Sequence, residues 1–237
     1  MASSRATARQ RQSPLSDDAT IAAQKRAAAR AAAELIEDGM RVGLGTGSTV
    51  AHLLPAIAER ALKGLRCVAT SPATERAARA LGLKLETLDE VGELDVAIDG
   101  ADQIDASGWL IKGGGGAHTR EKIVAVSARR FVVIASANKA VSELRPPVPL
   151  ELVEFGVHDT LSRLDPARPR DVERSPDGGV IADYMGAVGD PGELAERLSA
   201  TPGVVEHGLF APELVSLILI AGDGLEVERR AGGKPGG

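Results

Sequence analysis

Between Asp99 and Lys122 the chain reads Asp99-Gly100-Ala101-Asp102, then Lys112 with four consecutive glycines, Gly113 to Gly116, then Ala117-His118-Thr119-Arg120-Glu121-Lys122. A core segment would place branched apolar side chains at these positions, because a buried unpaired charge is costly and glycine adds no side-chain contact. Carboxylates can take and return protons, and a lysine beside free backbone amides can hold a developing oxyanion. The residue types therefore suit acid–base chemistry on an oxygenated substrate. A lone Asp-Gly would read as a surface turn before a solvated helix, but four glycines between a lysine and a helix start argue against that.

A second glycine-rich turn, Val42-Gly43-Leu44-Gly45-Thr46-Gly47-Ser48-Thr49-Val50, joins a strand pattern to a helix pattern. Glycines let the backbone approach an anion, while Thr46, Ser48, Thr49 and the free amides of a helix start supply donors. A dinucleotide site would need an acid at the end of the next strand, yet that strand ends Val68-Ala69-Thr70-Ser71. A nucleotide P-loop would need a lysine before Ser48. A small phosphate ester is the better ligand. Thr70-Ser71-Pro72-Ala73-Thr74-Glu75 is a further strand-to-helix junction that could donate hydroxyls or only cap a helix, and Lys139, after another strand, can bring positive charge to the same rim.

His52, His118, His158 and His207 lack paired spacing, so no metal site and no cofactor is expected. Ser48 is misplaced for a nucleophile elbow. His118 reads as a helix-cap or solvent-facing residue. Net charge is −5 and only five residues are aromatic (three Phe, one Trp, one Tyr), which argues against a nucleic-acid partner. The single Cys67 reads as a packing residue in a reducing compartment. No apolar run reaches the roughly 18 residues of a membrane span, so the expectation is a cytoplasmic protein with no membrane partner.

These groups need elements to hold them. Asp17 or Asp18 caps an Ala-rich helix that stops at Gly39; strand Met40–Leu44, helix Val50–Leu62, strand Leu65–Ala69 and helix Ala73–Leu81 follow. Strands Leu83–Leu88 and Leu94–Ile98, helix Thr119–Ala128 and strand Phe131–Ala135 continue the alternation. Such a rhythm predicts an α/β fold, a mainly parallel, helix-covered (Rossmann-like) sheet. Arg145-Pro146-Pro147-Val148-Pro149 breaks the pattern as a hinge. Beyond it, strand Glu151–Phe155, helix Val157–Leu164, strand Gly179–Tyr184, helix Pro191–Ser199 and strand Val204–Phe210 form a second, smaller α+β domain. Leu214–Ala221 and Leu225–Arg229 read as strands returning to the first. The expected division is a disordered tail at 1–16, a catalytic domain at 17–145 plus 213–230, a small domain at 146–212 and a disordered tail at 231–237.

Together, Gly43–Thr49, Thr70–Glu75, Asp99–Asp102, Lys112–Gly115, Thr119–Lys122 and Pro202–Phe210 resemble the ribose-5-phosphate isomerase family, type A, in order and approximate spacing. The resemblance spans about Ala22 to Glu228. Departures are small: the family often has an apolar residue in place of His118 and an asparagine in place of His207.

The resemblance implies interconversion of D-ribose 5-phosphate and D-ribulose 5-phosphate through an enediolate, without a metal, by a homodimer or homotetramer. Glu121 is the candidate base for the carbon-bound proton, Lys112 with the Gly113, Gly114 and Gly115 amides the oxyanion holder, and Asp99 and Asp102 the exchangers of hydroxyl protons. Substrate-binding positions are Thr46, Gly47, Ser48, Thr49, Gly100, Ala101, Gly113, Gly114, Gly115 and Lys139, with Lys25 added by family-like spacing. Two alternatives remain at this point: another sugar-phosphate isomerase or deaminase, and a non-catalytic sugar-phosphate sensor.

Overall fold

Alanine sets the first contact of the fold. The computed structural model describes residues 17–234. Helix α1 (Asp17–Ala33) opens on two acids that complement its dipole, and it buries Ala28, Ala29, Ala32 and Ala33, whose small side chains let it lie close to a sheet. Next come β1 (Arg41–Leu44), α2 (Val50–Glu59), β2 (Arg66–Ala69) and α3 (Pro72–Ala80). The α3 start is encoded locally: Ser71 Oγ accepts from Thr74 N at 3.2 Å, and Pro72 occupies the first turn, where no donor is needed.

A short α4 (Leu88–Val91) precedes β3 (Leu94–Gly100), β4 (Gln103–Ile104), β5 (Leu110–Ile111), α5 (His118–Val126) and β6 (Ala128–Ser136). The strand expected at Leu83–Leu88 does not form. Only Leu85 bridges Cys67, and a capping box between Thr87 and Glu90 turns the chain into α4. Beyond Pro147 lie β7 (Val148–Leu152), α6 (Val157–Arg163), β8 (Ala167–Pro169), β9 (Val180–Tyr184), α7 (Pro191–Ser199), β10 (Val204–His207), β11 (Leu209–Phe210), β12 (Leu217–Ala221) and β13 (Val227–Ala231).

The main sheet has the order β13-β12-β6-β3-β1-β2, parallel throughout except for β13. Both faces are covered, as a parallel sheet requires: Leu44, Leu53, Ile57 and Ile98 share one core with α1, and Leu94, Val124, Phe131 and Ile218 share the other with α5. Cys67 is fully buried in β2, and burial pushes its thiol up to about 11, which fits packing rather than reactivity. The sheet grows from β1 toward β2 on one side and toward β3 and β6 on the other. The carboxyl ends of β1 and β3 therefore part at a switch point, where open α/β sheets bind ligands.

A second, antiparallel sheet, β10-β7-β9-β8, encloses its own core with Leu161, Leu164, Leu194 and Leu198 of the α6 and α7 region. A three-stranded sheet, β11-β5-β4, spans the two cores, with Leu110 and Phe210 in one and Ile111 and Leu209 in the other. The single strand expected over Val204–Phe210 is split at Gly208. A Cβ there would fall 2.2 Å from the Lys112 carbonyl oxygen; the residue instead donates to Pro149 O (2.7 Å) and accepts from Lys112 N (2.8 Å).

The tail expected at 1–16 lies outside the described residues, as do 235–237. Residues 231–234, expected to lack order, follow the sheet: Ala231 closes β13, Gly232 N donates to Ser216 O (3.1 Å) and Lys234 N to Val215 O (2.9 Å). Among the described residues, no helix is long and apolar enough to cross a membrane.

Candidate active site

The carboxyl end of β3 delivers Asp99 into a space that β1 leaves open. A Cβ on residue 45 would lie 1.9 Å from Asp99 Oδ1, so glycine is required for the carboxylate to fit. There Asp99 Oδ1 accepts from Thr46 N (3.0 Å) and Gly100 N (2.7 Å), while Oδ2 lies 2.8 Å from Lys112 Nζ. Lys112 follows β5, and its ammonium also meets Glu121 Oε2 at 3.1 Å and donates to Gly100 O at 2.5 Å. Glu121 reaches this point because α5 begins at His118 and places it one turn in. The Phe210 ring adds its face 5.3 Å from Lys112 Nζ.

Asp99, Lys112 and Glu121 are all at most 4% exposed. Two carboxylates share one ammonium, so the triad carries a surplus negative charge in a dry environment. Burial raises Asp99 above the usual carboxylate range despite Lys112 and the two backbone donors, Gly100 N and Thr46 N. Glu121 is pushed up to about 8, first by burial and then by the charge of Asp99, with Lys112 opposing. Burial alone would discharge Lys112, but Asp99 and Glu121 outweigh it and hold the ammonium above its ordinary value.

Asp102 approaches from the other side, half-buried, with Oδ2 accepting from Gly114 N at 2.8 Å. The cleft between these groups is lined by Thr46 to Thr49, Gly100 to Asp102, Lys112 to Gly115, Glu121 and Lys139. The structure thus brings together on one cleft the expected catalytic and substrate-binding residues, except Asp99, which pairs with Lys112, and Lys25.

Lys25 stands at the cleft edge, donating from Nζ to Ser48 Oγ at 2.9 Å. Its neighbour Gln24, 3% exposed, accepts from Ala137 N at 3.2 Å and so ties α1 to the turn that carries Lys139. Two lysines from distant parts of the chain thereby flank the amides and hydroxyls at the start of α2. The Thr70–Thr74 hydroxyls brace this turn from behind: Thr70 Oγ1 meets Thr46 Oγ1 at 2.8 Å, and Thr74 Oγ1 donates to Gly45 O at 2.9 Å.

His118 is not solvent-facing. It is fully buried against Gly113, whose missing side chain leaves room for the ring, and burial pulls the imidazole down to about 4. Residues the sequence did not single out surround the Lys112–Lys122 segment: Glu151 of β7 accepts from Thr119 and Ser175, and Arg170 contacts the glycine turn, while Glu206 and the His207 carbonyl, within the Pro202–Phe210 match, accept from Lys122. No local spacing signals them, because each acts across dozens of residues. Among the described residues, no three His, Cys, Asp or Glu side chains gather as a metal centre would need.

A helix-covered parallel sheet with a buried acid–base triad at its switch point, and two lysines beside an amide-rich turn, defines an α/β enzyme for a small anionic substrate. Residues 66–224 match the family model for ribose 5-phosphate isomerase A (phosphoriboisomerase A). The chain belongs to the ribose 5-phosphate isomerase A family. Ribose-5-phosphate isomerase A of Bradyrhizobium diazoefficiens is 42% identical over 230 residues, covering 87% of this chain and 95% of that protein. The crystal structure of ribose 5-phosphate isomerase A from Neisseria gonorrhoeae superposes with a TM-score of 0.84 at 31% identity, covering 90% of this chain and 97% of the other. A D-ribose-5-phosphate isomerase solved in complex with phospho-erythronic acid gives a TM-score of 0.83 at 31% identity, over 88% and 97% of the two chains.

Proposed function

We propose that this chain interconverts D-ribose 5-phosphate and D-ribulose 5-phosphate by metal-independent proton transfer, as its family membership suggests. The observation that carries the mechanism is the pair of contacts to Lys112, 2.8 Å from Asp99 and 3.1 Å from Glu121, at the closed end of a cleft whose other end offers Lys25, Lys139 and the Thr46–Thr49 turn. The phosphate sits at that turn, where helix-start amides and two ammonium groups favour a dianion. Anchoring it there sets the open-chain sugar along the cleft toward Glu121.

Glu121 takes the proton from C2 of the aldose. The electron pair moves into the C1–C2 bond, and the carbonyl π electrons move onto O1. Lys112 and the glycine-turn amides stabilise that oxygen, a donor arrangement whose loss typically costs about 2.7–4 kcal/mol in the barrier. A proton then reaches O1, the O2 proton leaves, and Glu121 returns its proton to C1 to give the ketose. Asp102, which borders the cleft, is the better placed aspartate for the hydroxyl exchange. Asp99 has its oxygens occupied by Thr46 N, Gly100 N and Lys112, and fixes the ammonium.

The same proposal makes the enzyme a homodimer or homotetramer, on the strength of the family resemblance, and keeps it in the cytoplasm. Mixing the protein with ribose 5-phosphate in metal-chelated buffer tests the central claim: ribulose 5-phosphate accumulates to equilibrium. No conversion overturns it.

A further inference from the structure

The glycine turn that would hold the oxyanion is itself held from outside the main sheet. Arg170, just after β8, donates from Nη1 to the carbonyls of Gly113 (3.2 Å) and Gly114 (3.0 Å). The same guanidinium is gripped by Asp183 of β9, through Nε at 2.9 Å and through Nη2. Both side chains are less than one-fifth exposed, and Arg170 N is fixed to Ile181 O at 2.9 Å, so the fork has a rigid base.

The carbonyl and N–H of a trans peptide point in opposite directions. Pulling the Gly113 and Gly114 carbonyls toward Arg170 therefore turns the N–H groups of Gly114 and Gly115 the other way. The Gly114 N–H does point there: it meets Asp102 Oδ2 at 2.8 Å. Glycine peptides have little intrinsic preference to hold such an orientation, since nothing but hydrogen bonds restricts them. Gly113 O also accepts from Gly116 N within the turn at 3.0 Å, and the guanidinium, which alone spans both carbonyls, works with that bond to set the donor direction of the turn and the seat of Asp102.

We propose that Arg170, braced by Asp183, is a positioning residue for the isomerisation: it acts through the Gly113–Gly115 amides and Asp102 without touching the substrate. This rests on the reading of the cleft given above, in which the turn faces the reacting oxygens. Lysine cannot replace it fully, because a single ammonium lacks the planar fork that spans two carbonyls and a carboxylate together.

The test compares R170M, R170K and D183N with the unaltered enzyme in kcat, KM, and affinity for phospho-erythronate and for inorganic phosphate. Phospho-erythronate ends in a planar anionic carboxylate, which probes the turn that would face the planar, anionic enediolate, while phosphate probes only the far end of the cleft. R170M is expected to lower kcat and phospho-erythronate affinity together, by about tenfold to a hundredfold, as misplaced catalytic groups do. KM and phosphate affinity stay within about threefold. R170K falls between, D183N loses less than R170M, and D183N adds no further loss on the R170M background. A kcat near normal in R170M, or losses that only follow the folded fraction measured by circular dichroism, overturns the proposal. Should R170M not fold, the same readouts on D183N and R170K decide it. An unaltered enzyme inactive on ribose 5-phosphate would instead overturn the proposed function, so the two failures are distinct.

Discussion

Gly45 and Asp99 contend for one volume: the Cβ that any other residue would bring to position 45 falls 1.9 Å from Asp99 Oδ1. The carboxylate cannot move aside cheaply, because Thr46 N, Gly100 N and Lys112 Nζ hold it from three directions. G45A is expected to expel Asp99 from its seat, lower stability by about 1–3 kcal/mol through overpacking, and reduce kcat more than KM. Thermal unfolding and steady-state kinetics check both. Full activity in G45A would show that the Asp99 geometry is dispensable.

Glu121→Gln keeps the shape of the side chain and removes its basicity. The expected outcome is a kcat lowered by about 10²–10⁴-fold, the usual contribution of a positioned base, with phospho-erythronate affinity nearly intact. Calorimetric titration beside initial rates separates the two.

The raised Glu121 pKa fixes the direction of the pH profile. A base acts only when ionised, and Glu121 is held up at about 8 by burial and Asp99. The kcat/KM of the unaltered enzyme should therefore fall as pH drops below that value, and the residual rate of E121Q should not share this limb. A flat profile from about pH 6 to 9 in the unaltered enzyme would remove Glu121 as the titrating group.

Lys112 is the one ion partner shared by two buried carboxylates, so K112M leaves both without it. Breaking a buried pair in this way costs about 3–5 kcal/mol. The double variant K112M/E121Q has one buried charge fewer and should be less unstable than the sum of the single losses predicts. Denaturant unfolding of the four proteins gives that coupling directly. Additive losses would mean that the two side chains do not share charge.

His118 supplies a test on stability instead of rate. Its imidazole titrates at about 4 in the folded protein and near 6.5 when unfolded, so the unfolded chain binds the extra proton first. Stability is complete above about 6.5 and is lost as pH falls toward 4, by on the order of 3 kcal/mol for this group. H118L lacks the group and should gain on the unaltered protein by that amount across the window. Parallel stability curves for the two would contradict the burial of a neutral ring.

The legible parts of the molecule were those whose signals are local. Asp99, Asp102, Lys112, Glu121 and the Thr46–Thr49 turn all stand at element ends that strand and helix patterns mark; the cleft brings all but Asp99 together, and Asp99 joins them through Lys112. Thr87 and Glu90 also carried a local signal, a capping box, but the alternating apolar residues of 83–88 favoured a strand. His118 was misread because its burial depends on the absence of a side chain at Gly113, a matter of packing. Arg170 and Asp183 were invisible for a different reason: the carbonyl that Arg170 grips lies 57 residues away, and no spacing rule reaches so far.

The bond between Lys112 and Gly208 bears on how much of the chain the enzyme needs. The short β5 beside Lys112 is completed by β11, and Lys112 N is satisfied only by Gly208 O. A chain that stops short of Gly208 lacks β12 and β13 from its main sheet and leaves the Lys112 backbone N–H without its Gly208 acceptor. A chain cut short before Gly208 is therefore expected to show no ribose 5-phosphate isomerisation, and an active truncation would show that this bond is dispensable.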